Sequence, residues 1–207
     1  ADSFNYRFTP QDAGTFWAHA HHNTNEQLAR GLYLPLIVQE AEPYPVDQDL
    51  LLVLDDWRIN KQRQLDLASL GNMHEWAHGG RKGNVLTVNR QRNPSLTVKP
   101  GQRLRLRVLN AANARVMALE LPGVNSWLLA KDGQPLGQPL RLERTLVLSP
   151  AERYDLIVDI PLDWKGEYPL YEVSTKQRFA AAHWQVQGEP LTVAWSAEPR
   201  PLPANPL

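Results

Sequence analysis

The sequence contains no cysteine. Disulfides, thiolate metal sites and thiol nucleophiles are therefore excluded within these 207 residues. A blue type 1 copper, which needs a cysteine thiolate, is excluded as well. Neither sign of charge is in excess: Lys+Arg and Asp+Glu are both 22. That balance gives no electrostatic reason to expect nucleic acid or an anionic membrane as a partner. No apolar run approaches the length of a membrane-spanning helix. Ala1 to Tyr6 lack the basic start and apolar core of a signal peptide, as a mature or truncated chain also would.

The rest reads as a folded all-β chain. With 43% apolar and 21% charged residues, the composition is that of a globular protein able to bury a core. Phe4 to Thr9 alternates apolar and polar and predicts a short strand. Pro10 to Gly14 carries turn chemistry, and Thr15 to Ala20 predicts a second strand. Asn23 to Arg30 is a loop or one helical turn, and Leu34 to Gln39 is a strand. Glu42-Pro43-Tyr44-Pro45 breaks the pattern, which places a boundary there. Beyond it, strands are expected at 49–57, 85–88, 103–109, 116–121, 127–130, 144–148, 155–160, 168–173 and 191–195. Asp132-Gly133 supplies a turn with positive φ. Arg103, Arg105 and Arg107 alternate with Leu104, Leu106 and Val108, so the arginines read as the solvated face of an antiparallel sheet. Many short strands at this spacing indicate a Greek-key sandwich or barrel. The stretch 197–207 is proline-rich and reads as a linker.

Three of the six histidines fall between Trp17 and Asn23. On an extended strand, residues i and i+2 share a face. His19 and His21 would then point one way and His22 the other. Neutral imidazole suits copper, zinc and iron. A bare H-x-H is more often two half-exposed histidines at a strand end than a ligand pair, so the flanking residues decide.

The run Gly14-Thr15-Phe16-Trp17-Ala18-His19-Ala20-His21, followed by Gln27 and Gly31-Leu32-Tyr33-Leu34-Pro35-Leu36-Ile37-Val38, resembles the second histidine motif of the multicopper oxidases. The variant here is similar to the laccase-like bacterial, periplasmic branch. Asp56-Trp57, 80–89, 98–112, 130–136 and 149–158 are similar, in order, to segments of that family's middle cupredoxin domain. Two positions depart from the usual motif: Ala20 stands where Ser is common and Leu34 where Gly is common.

The resemblance implies a Greek-key cupredoxin-like β-sandwich, with one complete domain plus part of a second. Residues 1–43 would end a first cupredoxin domain, 48–196 would be the middle one, and 197–207 a linker. His19 and His21 would each bind one copper of the type 3 pair in a trinuclear cluster. The implied partners are dioxygen, a reducing substrate such as a phenol or a cuprous ion, and the remaining cupredoxin segments of the same parent protein. The implied location is periplasmic or secreted. The family builds its cluster from four H-x-H pairs, and this chain carries one. Turnover is therefore not expected from these residues alone, because two imidazoles do not close a copper site. The competing reading is a copper-free cupredoxin-fold structural or interaction protein, against which the intact His19-Ala20-His21 pair argues. Trp17 could wall the cluster, although a core role is the commoner fate of a tryptophan.

His74-Glu75-Trp76-Ala77-His78 matches H-E-x-x-H, the zinc-protease motif. Gly71 precedes it and Gly79-Gly80 follow at once, so the long helix that such a site requires is missing. The expectation is that His74 and His78 are loop residues, and that His183 is isolated.

Overall fold

Alternating apolar and polar residues build two facing sheets from residue 48 onward. The computed structural model describes residues 3–192, 195 and 197–206. The first sheet contains β3 (Gln48–Trp57), β4 (Val85–Val88), β6 (Arg103–Asn110), β8 (Asn125–Lys131), β9 (Gln134–Arg141) and β11 (Arg153–Asp159). Its order is β4-β3-β6-β11-β8-β9. The second contains β5 (Ser95–Val98), β7 (Met117–Glu120), β10 (Leu146–Leu148), β12 (Gly166–Glu172) and β13 (Phe179–Val186). Its order is β10-β7-β12-β13-β5. Leu52, Leu104, Leu106 and Leu156 of the first sheet meet Met117, Leu148, Leu170 and Trp184 of the second in one buried core. This is an all-β, cupredoxin-like sandwich.

A separate antiparallel ribbon precedes it: β1 (Gly14–His19) pairs β2 (Tyr33–Val38), with Thr15 opposite Ile37 and His19 opposite Tyr33. Between them lies α1 (Thr24–Ala29), one short helix where a loop or a helical turn is expected. A second short helix, α2 (Met73–Ala77), stands on the excursion between β3 and β4.

The arginine row of β6 differs from expectation. Arg103, Arg105 and Arg107 are not solvated; each keeps 3% or less of its surface exposed. The face they occupy is covered by Thr15 of the ribbon, by Glu40 and Tyr44 ahead of β3, and by Trp195 and the Ala197 carbonyl near the C-terminus. Burying a guanidinium without a partner costs several kcal/mol, and every one of the three has a carboxylate. Arg103 makes a two-pronged bond to Asp159 (2.7 and 2.7 Å). Arg105 does the same to Glu40 (2.9 and 2.8 Å) and also reaches Asp155 (2.6 Å). Arg107 joins Asp49 (2.8 Å) to Asp155 (3.1 Å). Glu40 comes from beyond β2, so the charge row binds the ribbon to the sandwich.

Phe4 to Thr9 forms no strand; it is irregular and exposed. An alternating stretch becomes a strand only when a neighbour satisfies its backbone groups, and among the described residues no strand pairs with it. Three strands fall outside the expected set: β5, β9 and β13. β9 carries Pro135, Gly137 and Pro139, which an edge strand tolerates because its outer backbone groups need no ladder. The expected strand at 191–195 falls partly outside the described residues. The described part of the proline-rich stretch is irregular but docked. The Tyr44 hydroxyl donates to the Arg200 carbonyl (2.6 Å), and Leu202 is buried with Trp127 and Ile157.

Candidate metal centre

The histidine strand is held at three levels. At its start, Gly14 (φ +146°) sits so close to the β8–β9 turn that a Cβ there would lie 2.6 Å from the Gly133 carbonyl oxygen. Gly133 and Asp132 both have positive φ, as the Asp-Gly turn requires. One residue on, the fully buried Thr15 hydroxyl donates to Asp155 (2.6 Å) and accepts from Arg107 Nη1 (2.9 Å). Arg153 Nε donates to the Thr15 carbonyl (3.3 Å). Trp17 and Tyr33 then pack on Val53, Leu109 and Ala111. The strand therefore enters the site with its backbone fixed from Gly14 to Trp17.

His19 is the last residue of β1, and His21 follows it just past the strand end. Their rings lie 4.6 Å apart, centroid to centroid, and 23° from parallel. The two side chains share a side, as the i, i+2 spacing predicts. Trp17 stacks on the His19 ring, 4.5 Å away centroid to centroid, and is itself partly buried. His19 Nδ1 lies 3.3 Å from the Ala20 carbonyl. A proton on Nδ1, donated to that oxygen, leaves the Nε2 lone pair free for a metal. His19 is half-buried and His21 exposed. Among the described residues, no third His, Asp or Glu joins them in a group able to hold a metal. The donor type fits copper; the donor number is two, short of the three or four protein ligands that hold a resident copper ion in place.

Tyr33, opposite His19 on the ribbon, reaches a buried acid. Asp55 is 6% exposed and accepts a hydrogen bond from the Tyr33 hydroxyl (2.9 Å) and one from the Asp56 N–H (2.8 Å). Burial pushes its carboxyl up to about 7, against these hydrogen bonds. Burial and the neighbouring Asp55 together raise the Tyr33 phenol above its usual value. In the charge row, burial opposes the charged form of Arg105, but bonds to Glu40 and Asp155 outweigh it and hold the guanidinium above its usual value. Glu40 moves the other way: burial would raise it, and the Arg105 bonds bring it below the ordinary carboxylate range.

The other candidates have local roles. Gln27 Nε2 donates to the His22 carbonyl (2.6 Å), which closes the loop after the histidines. Glu26 binds Asn23 and Arg30. His183 Nε2 lies 3.4 Å from Glu167. His74 and His78 are not in an open loop: His74 lies within α2 and His78 caps its end. Glu75 Oε1 is ion-paired with Arg58, while among the described residues its buried Oε2 has no hydrogen-bond partner. The residues that sequence reasoning missed are Thr15, Glu40, Asp55 and Asp155. Their partners lie 22 to 140 positions away, and no local pattern signals such pairs.

Comparison with known proteins agrees with this fold. A multicopper oxidase family profile matches residues 48–189, and a second multicopper oxidase profile matches residues 1–43. The chain belongs to the multicopper oxidase family, whose cofactor is copper. It is 31% identical over 194 residues to the multicopper oxidase MmcO of Mycobacterium tuberculosis, covering 81% of this chain and 37% of that protein. It is 26% identical over 246 residues to a copper resistance protein A homologue of Pseudomonas syringae, covering 98% and 40%. A crystal structure of a multi-copper oxidase from Pseudomonas thermotolerans is similar with a TM-score of 0.85 and 37% identity, over 98% of this chain and 47% of that one. The chain thus spans about two fifths of these curated relatives and about half of the solved one. Among the described residues, no helix is long and apolar enough to cross a membrane.

Proposed function

We propose that residues 14–38 present His19 and His21 to the type 3 copper pair of a trinuclear cluster, one histidine to each ion. The remaining ligands come from other segments of a longer protein. The observation that carries this reading is the imidazole pair 4.6 Å apart, with no third donor among the described residues, at the end of a rigidly anchored strand. Copper bound there supplies the electron transfers that reduce dioxygen to water, using single electrons from a phenol-like substrate or a cuprous ion.

This chain's residues do the positioning. Thr15, Arg107 and Asp155 fix the strand, Trp17 packs one side of the His19 ring, and the His19 Nδ1 contact with the Ala20 carbonyl orients that imidazole. Such supporting contacts tune affinity and geometry at metal sites. In this reading 1–43 closes a first cupredoxin domain, 48–196 is the middle domain and 197–207 leads onward. The protein works in the periplasm or outside the cell. A copper-free role is disfavoured by the retention of both imidazoles.

The test is oxygen uptake with a phenol and with cuprous ion, measured on the whole protein and on residues 1–207 alone. The whole protein should consume oxygen and the 207-residue piece should not. Turnover by the piece alone would rule out a cluster shared between segments.

A further inference from the structure

A second imidazole pair stands apart from the first. The excursion between β3 and β4 is not a slack loop. Asn60 Oδ1 accepts from the N–H groups of Gln62 and Gln64 (3.0 and 3.0 Å), and Ile59 bridges Leu65. Arg81 Nε donates to the Ser69 hydroxyl (2.8 Å). At its outer end, the Asn72 side chain caps α2 by accepting from the His74 N–H (2.9 Å). Glu75 ties the same turn to Arg58, whose Nε donates to the Lys82 carbonyl (2.9 Å). On this anchored turn, the exposed His74 and His78 rings lie 4.7 Å apart, centroid to centroid.

That distance can be compared with what a shared ion requires. A metal–imidazole bond is about 2.0–2.1 Å, which puts each ring centroid about 3.2 Å from the ion. Two imidazoles at angles between square and tetrahedral then have centroids roughly 4.5–5.2 Å apart. The observed spacing lies inside this window without any movement of the backbone.

We propose that His74 and His78 form an exchangeable surface site for a divalent late transition-metal ion, cupric ion foremost. Imidazole nitrogen favours the late first-row metals, and affinity along the series peaks at copper(II). Two protein donors leave the other positions to water, so the ion is taken up and released rather than held as a structural one. The site is not a hydrolase centre: Glu75 Oε1 is ion-paired with Arg58, and α2, at five residues, is too short to be the long helix that an H-E-x-x-H site requires. It is separate from the His19–His21 pair and stands or falls independently of the role proposed for that pair.

The test uses the intact protein with its resident copper in place. Equilibrium dialysis against cupric ion, followed by elemental analysis, should find one additional ion per chain that a mild chelator strips while resident copper stays. H74A/H78A should bind that ion at least about tenfold more weakly, and each single variant should fall between. H19A/H21A should keep it. In unmodified protein, cupric ion should protect His74 and His78 from carbethoxylation, read by peptide mass spectrometry. An additional ion retained by H74A/H78A overturns the assignment. So does equal labelling of both histidines with and without the metal.

Discussion

The Thr15 hydroxyl donates to the Asp155 carboxylate over 2.6 Å, across 140 residues of sequence. The same hydroxyl accepts from Arg107, and Arg107 and Arg105 both reach Asp155. One small side chain in the histidine strand therefore completes a buried network that otherwise belongs to the sandwich. Replacing Thr15 by Val keeps the shape and removes both bonds. The remaining groups are buried and short of a partner, which costs about 1–3 kcal/mol. Denaturant unfolding should show that loss for T15V and little loss for T15S. Equal stability of T15V and the parent would mean that the ribbon is held by packing alone.

Removing Asp155 should cost more. D155A leaves Arg105 and Arg107 buried with one carboxylate fewer, and breaking a buried ion pair from one side costs about 3–5 kcal/mol. E40A should have a smaller effect, because Arg105 retains Asp155. A larger loss for E40A than for D155A, in the same unfolding experiment, would contradict the assignment of Asp155 as the hub.

Asp55 gives a pH signature. Its carboxyl is raised by burial from the ordinary 3.8 to about 7. The folded protein therefore binds this proton more tightly than the unfolded chain does. The stabilisation is complete below pH 3.8 and is lost as pH rises through about 7. A shift of that size is worth on the order of 2–4 kcal/mol. D55N cannot titrate, and its amide can still pair with the Tyr33 hydroxyl. Its unfolding free energy, relative to the parent, should improve progressively between pH 4 and 7. Parallel pH curves for the two proteins would exclude a raised Asp55.

Gly14 is predicted to be intolerant of a side chain. A Cβ would meet the Gly133 backbone at 2.6 Å, and the φ of +146° is strained for an L-residue. G14A should lose about 1–3 kcal/mol and displace the start of β1. Thermal unfolding would detect this; an unchanged midpoint would show that the strand can slide.

The strands were legible where alternation or an apolar run stood between turn residues, as in β3, β6 and β11. The Asp132-Gly133 turn and the pairing of His19 with His21 on one side followed from elementary strand geometry. The burial of Arg103, Arg105 and Arg107 was not legible. An alternating arginine face looks the same in sequence whether water or a distant carboxylate covers it, and here Glu40, Asp49, Asp155 and Asp159 do so. β9 was hidden by its prolines and glycine, and β13 by an alanine run with weak strand preference. The turn of α2 did carry a signal, since Asn72 precedes Glu75 at capping-box spacing. Phe4 to Thr9 had the pattern of a strand without the partner that makes one.

The most direct test of the copper reading is substitution of His19 and His21 in the whole protein. Copper per protein is measured alongside oxygen uptake and the unfolding midpoint. H19A and H21A should each lower the copper content, and the double variant should cut oxygen uptake by at least about 100-fold. Because His19 is half-buried and His21 exposed, the unfolding midpoint of the metal-free protein should barely change. Full copper occupancy and undiminished oxygen uptake in H19A/H21A would contradict the account.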